Sequence, residues 1–289
     1  MRFAALGVVG ATAFLATGTG LAAKNDPVVV TPSSPWNVHY GETKCRLART
    51  FGEGSDMHVL ILDQHFPSAS AGVTVAGLSF RRFEGREETN VRFSETIAPF
   101  TSEPFKGDIG QHKYALVFSS VHFGEISEQG AAGIPQLDNK LAADINFLSF
   151  SQGRRNVRFE TGPLGPAFEA LNTCTQDMVR EWGFDVEKQM TVAKRPMLKN
   201  IDRVVKRIQR TYPSAALSRG ESAIIRVRVT VDEMGEVENC VLNDLTVTKA
   251  LESPACREMR FAEFDPAIDV NGKPIRSFYT TSITYQIGS

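Results

Sequence analysis

Four cysteines, Cys45, Cys174, Cys240 and Cys256, stand behind an apolar leader, and together these features constrain the chain more than any other. Arg2 is the only early charge, and Phe3 to Ala23 contains no other charged residue. A short basic start, an apolar middle and small residues at the end make the layout of a signal peptide over residues 1–23. Cleavage after Ala22 or Ala23 places Gly20 or Leu21 at the minus-three position, and Gly20 suits a signal peptidase better. No cysteine follows the apolar run, which argues against a lipid anchor. The competing reading is a retained membrane helix, since Ala4 to Ala23 would span about 30 Å. Gly7, Gly10, Gly18 and Gly20 with Thr12, Thr17 and Thr19 dilute its apolarity, no basic cluster follows, and no second stretch is long enough to span. Cleavage would leave no stable membrane insertion and a periplasmic protein. In that oxidising compartment four cysteines read as a disulfide framework with three possible pairings. No C-x-x-C is present, so neither a thioredoxin-like site nor a zinc knuckle is indicated.

The mature length, about 266 residues, suggests two domains. A net charge of −1 carries no nucleic-acid footprint. Nineteen Phe against two Trp point to sheet-rich cores. From residue 27 to about 160 the chain reads as short strands separated by turns: Met57–Leu62, Ala71–Phe80 and Tyr114–Phe123, with turn clusters at 52–56 and 83–86. That spacing favours a β-sandwich or barrel-like domain. A helix follows from Pro166, with Phe168, Leu171, Cys174, Met178 and Trp182 on one face and Gly183 as its cap. Cys174 should therefore face the core. The expected fold is α+β: a β-rich N-terminal domain (24–190) closed by a helix, then a small C-terminal domain (196–289).

After a connector over Lys188–Pro196, a helix is expected from Met197 to Gln209. Leu198, Ile201, Val204, Val205 and Ile208 form its apolar face; Lys199, Arg203, Lys206, Arg207 and Arg210 form a basic one. The basic stripe is either a solvated surface or a site for an acidic partner. Ala223, Ile225, Val227, Val229 and Val231 then alternate with Ile224, Arg226, Arg228 and Thr230, as in a half-buried strand. Asp232–Gly235 is a hairpin turn, Glu236–Leu242 the return strand, and Ser253-Pro254 the start of a short helix carrying Cys256. The last strand, Arg276–Ile287, places Tyr279, Ile283, Tyr285 and Ile287 on one face and Arg276, Thr280, Ser282, Thr284 and Gln286 on the other.

From Tyr212 onward the residues resemble the C-terminal domain of TonB-family proteins. The run comprises Tyr212-Pro213, Ala215, Gly220-Glu221, the Arg226–Val231 strand and Gly235-Glu236-Val237. It closes with Arg260-Phe261, Phe264, Pro266-Ala267, Gly272-Lys273-Pro274 and the final strand. The likeness covers roughly 80 of the 289 residues. The Cys240 and Cys256 pair is similar to that of a cysteine-containing branch found in exported bacterial proteins. The N-terminal region resembles the segment preceding the domain there, through Ser34-Pro35-Trp36, Cys45–Arg49, Phe51-Gly52 and Cys174 through Trp182-Gly183.

The resemblance implies a small sheet with helices on one face, whose edge pairs with a short segment of an outer-membrane receptor. An edge strand suits that role, because its unpaired backbone groups accept an extended peptide. The candidate partner-binding residues are Arg276, Phe278, Thr280, Ser282 and Thr284, and the partner is an envelope protein or receptor peptide. The alternative is that the first domain or a second copy, as a homodimer, covers this edge. A true energy transducer would retain an anchor helix bearing a functional histidine, followed by a long Pro-rich span. Residues 4–23 hold no histidine, and a β-rich domain occupies the place of the span.

The pairing that respects this division is Cys45 with Cys174 and Cys240 with Cys256. Fifteen residues lie between the second pair, for which loop closure suggests about 3 kcal/mol. Catalytic signatures are lacking: there is no G-x-S-x-G, H-E-x-x-H or Walker loop, and Gly130–Gly133 reads as a turn. His39, His58, His65, His112 and His122 show no metal-ligand spacing; His58 and His65 should face opposite sides of one strand. Glu87-Glu88 and Asp232-Glu233 read as solvated charge. The expectation is a non-enzymatic, cofactor-free periplasmic binding or scaffold protein, with an anchored transducer as the alternative and an enzyme with a cryptic N-terminal site as the third reading.

Overall fold

A computed structural model describes residues 26–95, 99–124, 128, 130–211, 214, 223–244 and 254–285. The leader, Tyr212-Pro213, Ala215, Gly220-Glu221, Ser253 and Gln286-Ile287, all used above, lie outside the described residues. The N-terminal strands are β1 (Val28–Val30), β2 (Asn37–Tyr40), β3 (Cys45–Phe51), β4 (His58–Gln64), β5 (Ser70–Ala76), β6 (Thr89–Arg92), β7 (Phe100–Ser102), β8 (Phe105–Ile109) and β9 (His112–His122). Helix α1 (Asn139–Asp144), β10 (Phe147–Gln152), β11 (Arg155–Glu160), α2 (Gly165–Glu181) and α3 (Val186–Met190) complete that region. Beyond it come β12 (Met197–Leu198), α4 (Ile201–Arg210), β13 (Ala223–Val231), β14 (Val237–Asp244), α5 (Ala255–Met259), β15 (Phe264–Asp265), β16 (Ala267–Ile268), β17 (Pro274–Ile275) and β18 (Ser277–Tyr285).

Alternation of apolar side chains builds the first region. Its six-stranded sheet runs β2-β3-β4-β5-β9-β8, and its five-stranded sheet β1-β11-β10-β6-β7. Leu60 and Leu62 of β4 enter the main core, whereas Val59 and Ile61 join a smaller cluster with Ala48, Ala76, Ala115 and Ile109. That is the period-2 rule at work. Val91, Phe150, Val157 and Phe159 supply the other side of the main core, joined by Phe168, Leu171, Cys174 and Met178 of α2. Phe51, Phe80, Phe83, Phe118, Phe123, Phe150, Phe159 and Phe168 are fully buried, so the Phe-rich composition is spent on packing. The region is β-rich with several sheets and helices; both strand orders are open ones among the described residues.

Helix α2 ends as its Gly suggests. Gly183 adopts a φ of 81°. Its N–H donates to the Arg180 carbonyl at 3.0 Å, and Phe184 N–H donates to Val179 O at 3.3 Å, the bond pair of a Schellman cap. The strand expected through Phe80 stops at Ala76, and Leu78–Phe80 turn into a 3-10 helix. Gly77 makes this break: its φ is 145°, and a Cβ there would lie 2.3 Å from the His58 ring.

Three further boundaries differ from the sequence reading. The connector after α2 is partly helical, because the Asp185 carboxylate accepts from Lys188 N–H and caps α3. Helix α4 starts at Ile201 rather than Met197, since Met197 and Leu198 pair with Asp265 and Phe264. Helix α5 starts at Ala255, with Pro254 at its N-cap.

The C-terminal region is an α+β unit whose antiparallel sheet runs β14-β13-β18. Ile225, Val227, Val229 and Val231 of β13 pack on Val204 and Ile208 of α4 and on Ala255 and Met259 of α5. The Asp232–Gly235 hairpin forms as expected: Asp232 Oδ1 accepts from Met234 and Glu236 N–H at 2.9 and 2.8 Å. Gly235 sits at φ 83°, and a Cβ there would meet Phe264 O at 2.2 Å. Gly235→Ala is therefore expected to destabilise the protein by about 1–3 kcal/mol, read as a lowered thermal midpoint.

One expectation fails more instructively. Strand β13 is not half-buried: Ile224, Arg226 and Thr230 on its second face are buried too. Arg226 donates to Ser119 O of β9, so this face meets the N-terminal region. The expected basic stripe is partly neutralised within the chain, by Lys199–Asp265 ahead of α4 and by Arg203–Glu263 and Arg207–Glu258 on it, at 3.5, 2.9 and 2.7 Å.

Both disulfides are present, Cys45–Cys174 and Cys240–Cys256, with Cα separations of 5.9 and 5.5 Å. The first lies in the core between β3 and α2; the second ties β14 to α5.

Candidate functional site

Strand β18 pairs only with β13 among the described residues, in an antiparallel register running from Ala223 opposite Tyr285 to Val231 opposite Ser277. Its other edge has no strand partner there. Tyr279 and Ile283 face the helices, as the sequence pattern requires. The opposite face is where Phe278, Thr280, Ser282 and Thr284 belong by period.

The five proposed partner-binding residues do not behave alike. Phe278 is only 7% exposed, packed edge-on against Trp182 and tilted on Phe184, both at 5.3 Å between ring centroids. Its side chain belongs to the contact between the two regions. Arg276 lies just before the strand, bonds Glu238 at 2.6 Å and stacks over Phe184 at 4.8 Å. Ser282 accepts from Arg226. Thr280 is half-buried and Thr284 exposed. Gln189 locks the strand's start, donating to Arg276 O at 3.1 Å and accepting from Ser277 Oγ at 2.5 Å.

A groove of about 420 Å³ runs along the first half of β18, from Ser277 to Thr281. Its opposite wall is the Phe66–Ala69 loop, His122, and the Ile134-Pro135 and Arg195-Pro196 segments. Arg195 stiffens that wall through bonds to Ala131 O and Glu128 O at 3.0 and 2.7 Å. The groove sets the Ser277–Thr281 segment of β18 against a mixed wall, Phe66, Pro67, Ile134 and Pro135 beside His122, Glu128 and Arg195, and an elongated cleft beside a strand suits an extended chain. Sequence reasoning named the edge and missed the wall, since its loops lie some 80 to 210 residues upstream and carry no motif.

Residues 208–287 match the family described as the Gram-negative bacterial TonB protein C-terminal. This segment is a TonB C-terminal domain. No curated protein matches the chain. The TonB C-terminal domain is a non-catalytic one, and the described residues hold no group of three or more His, Cys, Asp or Glu placed to bind a metal ion. No helix among them is long and apolar enough to cross a membrane.

The histidines divide by partner. His58 Nδ1 bonds Asp56 O at 2.7 Å, its Nε2 accepts from Ser79 N–H at 3.3 Å, and burial lowers its pKa. His65 points the other way, as its position predicts. It is 7% exposed and both ring nitrogens lack a hydrogen-bond partner; the nearby Thr43 backbone favours the imidazolium, but less than burial disfavours it. Burial, with Arg226 adding to it, takes the His65 pKa down to about 4.

Beside it, burial would raise the Asp63 carboxyl, but bonds from Arg46 and Lys44 outweigh that and hold its pKa below normal. A depressed imidazole means the unfolded chain binds the extra proton, so stability falls as pH drops from about 6.5 towards 4. The depressed Asp63 carboxyl adds a further loss below the ordinary carboxylate range. His65→Phe is expected to flatten the first part of the decline, worth up to about 3 kcal/mol, as read by urea midpoints between pH 7 and 4.

Proposed function

We propose that this chain is an exported, non-enzymatic binding protein of the bacterial envelope, whose TonB C-terminal domain takes an extended peptide along the free edge of β18. The observation that carries the reading is the groove beside Ser277–Thr281, where β18 has no second strand partner among the described residues and its face is anchored through Phe278. Main-chain bonds would supply affinity, and the Phe66–Ala69 and Ile134-Pro135 walls selectivity. The N-terminal region acts as a scaffold for the groove and corresponds to the segment preceding the domain in related exported proteins.

Peptides from outer-membrane receptor N-termini, titrated onto the full mature chain, are expected to shift backbone amide resonances at residues 277–281 and along the loop at 66–69. Absence of any shift there would dismiss peptide capture, and a concentration-dependent dimer with the same footprint would assign the edge to a second copy. Mass spectrometry of the envelope-purified protein separates the anchored alternative. A start at Ala23 or Lys24 supports export, and an intact Met1 supports a retained helix.

A further inference from the structure

A second cavity, of about 320 Å³, lies between the β4–β5–β9–β8 face of the six-stranded sheet and β13. It is independent of the peptide groove. Its charged lining is unbalanced. Asp63 receives Lys44 at 3.2 Å and Arg46 through two bonds of 2.7 Å. One carboxylate thus already carries two cations before Arg226 is counted.

Arg226 enters from β13, 7% exposed, and makes no ion pair among the described residues. Its Nη atoms donate to Ser282 Oγ and Ser119 O, leaving Nε buried without an acceptor. His65 lines the same space with both ring nitrogens unpartnered. Around the rim, Lys106 bonds Glu84 at 3.2 Å, and Asp108 accepts from Tyr114 N–H at 3.0 Å. With Lys106 matched by Glu84, Lys44, Arg46 and Arg226 stand against Asp63 and Asp108, so the cavity keeps an excess of positive charge.

Buried donors without acceptors cost free energy unless something fills them. An unpaired guanidinium asks for a planar or tetrahedral oxyanion in particular. The remaining side-chain walls are largely apolar, from Phe105, Ile109, Val117 and Ile224, with Thr74 beside them. The space therefore exceeds what a bare inorganic ion needs and offers a surface for an organic body.

We propose that this cavity binds a small organic anion, with its carboxylate or phosphate head between Arg226 Nε and His65 and its apolar part along Phe105, Ile109 and Ile224. Because Arg226 comes from the TonB C-terminal domain and the other groups from the N-terminal region, the ligand would bridge the two.

The probes are inorganic phosphate, benzoate and phenyl phosphate, each added to the full mature chain against sodium chloride at matched ionic strength. The readouts are the Arg226 Nε–H resonance and the titration of the His65 imidazole. Binding should shift the first and raise the His65 pKa from about 4, since an adjacent anion favours imidazolium. Tighter binding of benzoate than phenyl phosphate assigns a carboxylate head, the reverse a phosphate head, and either supports the site. Arg226→Gln should weaken binding by about tenfold or more. Should that variant separate the regions, His65→Gln keeps Arg226 and its bonds to Ser119 and Ser282, and should weaken binding too. The proposal is overturned if neither resonance responds beyond the chloride control, or if His65→Gln binds the probes as the parent does.

Discussion

Replacing Cys45 and Cys174 together by alanine is expected to lower the unfolding free energy by about 5 kcal/mol, the largest effect of any pair considered. The bond joins residues separated by 129 positions, and the unfolded-state entropy removed by closing a loop rises with its length, to about 5 kcal/mol here. It links the second strand from one end of the six-stranded sheet to the helix that seals the core. Both cysteines are buried, with Cys45 Sγ 3.5 Å from Met178 Sδ, so truncation also opens space that no solvent can usefully fill. Removing Cys240 and Cys256 should cost less, about 3 kcal/mol, since only 16 positions separate them. Urea denaturation of the two double variants tests the ranking. Equal midpoints for the Cys45/Cys174 variant and the parent would mean that the long bond does not form.

Phe278→Ala should cost about 3–5 kcal/mol, a value typical of a buried Phe losing its ring. The consequence concerns the relation between regions rather than either core. Phe278 wedges between Trp182 and Phe184, and Arg228 lies over Trp182 at 4.3 Å. Loss of the ring leaves those groups facing a void and frees the C-terminal sheet from α2 and α3. In a Trp36→Phe background, the fluorescence of Trp182 alone should shift to the red, and guanidinium unfolding should split into two transitions. An unshifted Trp182 signal with one cooperative transition would show that the contact contributes little and that other bonds, such as Arg226 to Ser119, hold the interface. Splitting would also support two independently folding units, with each disulfide inside one of them.

These outcomes bear on the peptide groove as well. Its walls come from both regions, so a variant that lets them separate should weaken peptide binding even though no groove backbone group is altered. The test of the organic-anion site works in the opposite sense, because a ligand touching both regions should stabilise their contact.

Much of the fold is legible in the residues. Strands β4, β9 and β13 follow from alternation, and α2 from the spacing of Phe168, Leu171, Cys174 and Met178. The cap at Gly183 and the turn at Asp232–Gly235 follow from local chemistry. Errors gather where a distant partner competes with a local preference. Met197 and Leu198 continue a helical apolar stripe, yet they pair with Phe264 and Asp265 because the strand partner satisfies their backbone. Ala71–Phe80 reads as one strand until Gly77 meets the His58 ring.

The candidate site divides in the same way. Sequence placed the edge strand and both disulfides, because alternation, cysteine positions and an ordered motif are properties of short stretches of chain. It assigned Arg226 and Arg228 to a solvent face, since an arginine alternating with valines normally marks one. Only the tertiary structure turned that face inward, buried Phe278 against Trp182, built the second wall of the groove, and brought Arg226 to His65 and Asp63. The physical reason is that side-chain period fixes which residues share a face but carries no information about what that face meets. That choice depends on shape and charge matched between residues some 80 to 210 positions apart, and no local pattern records it.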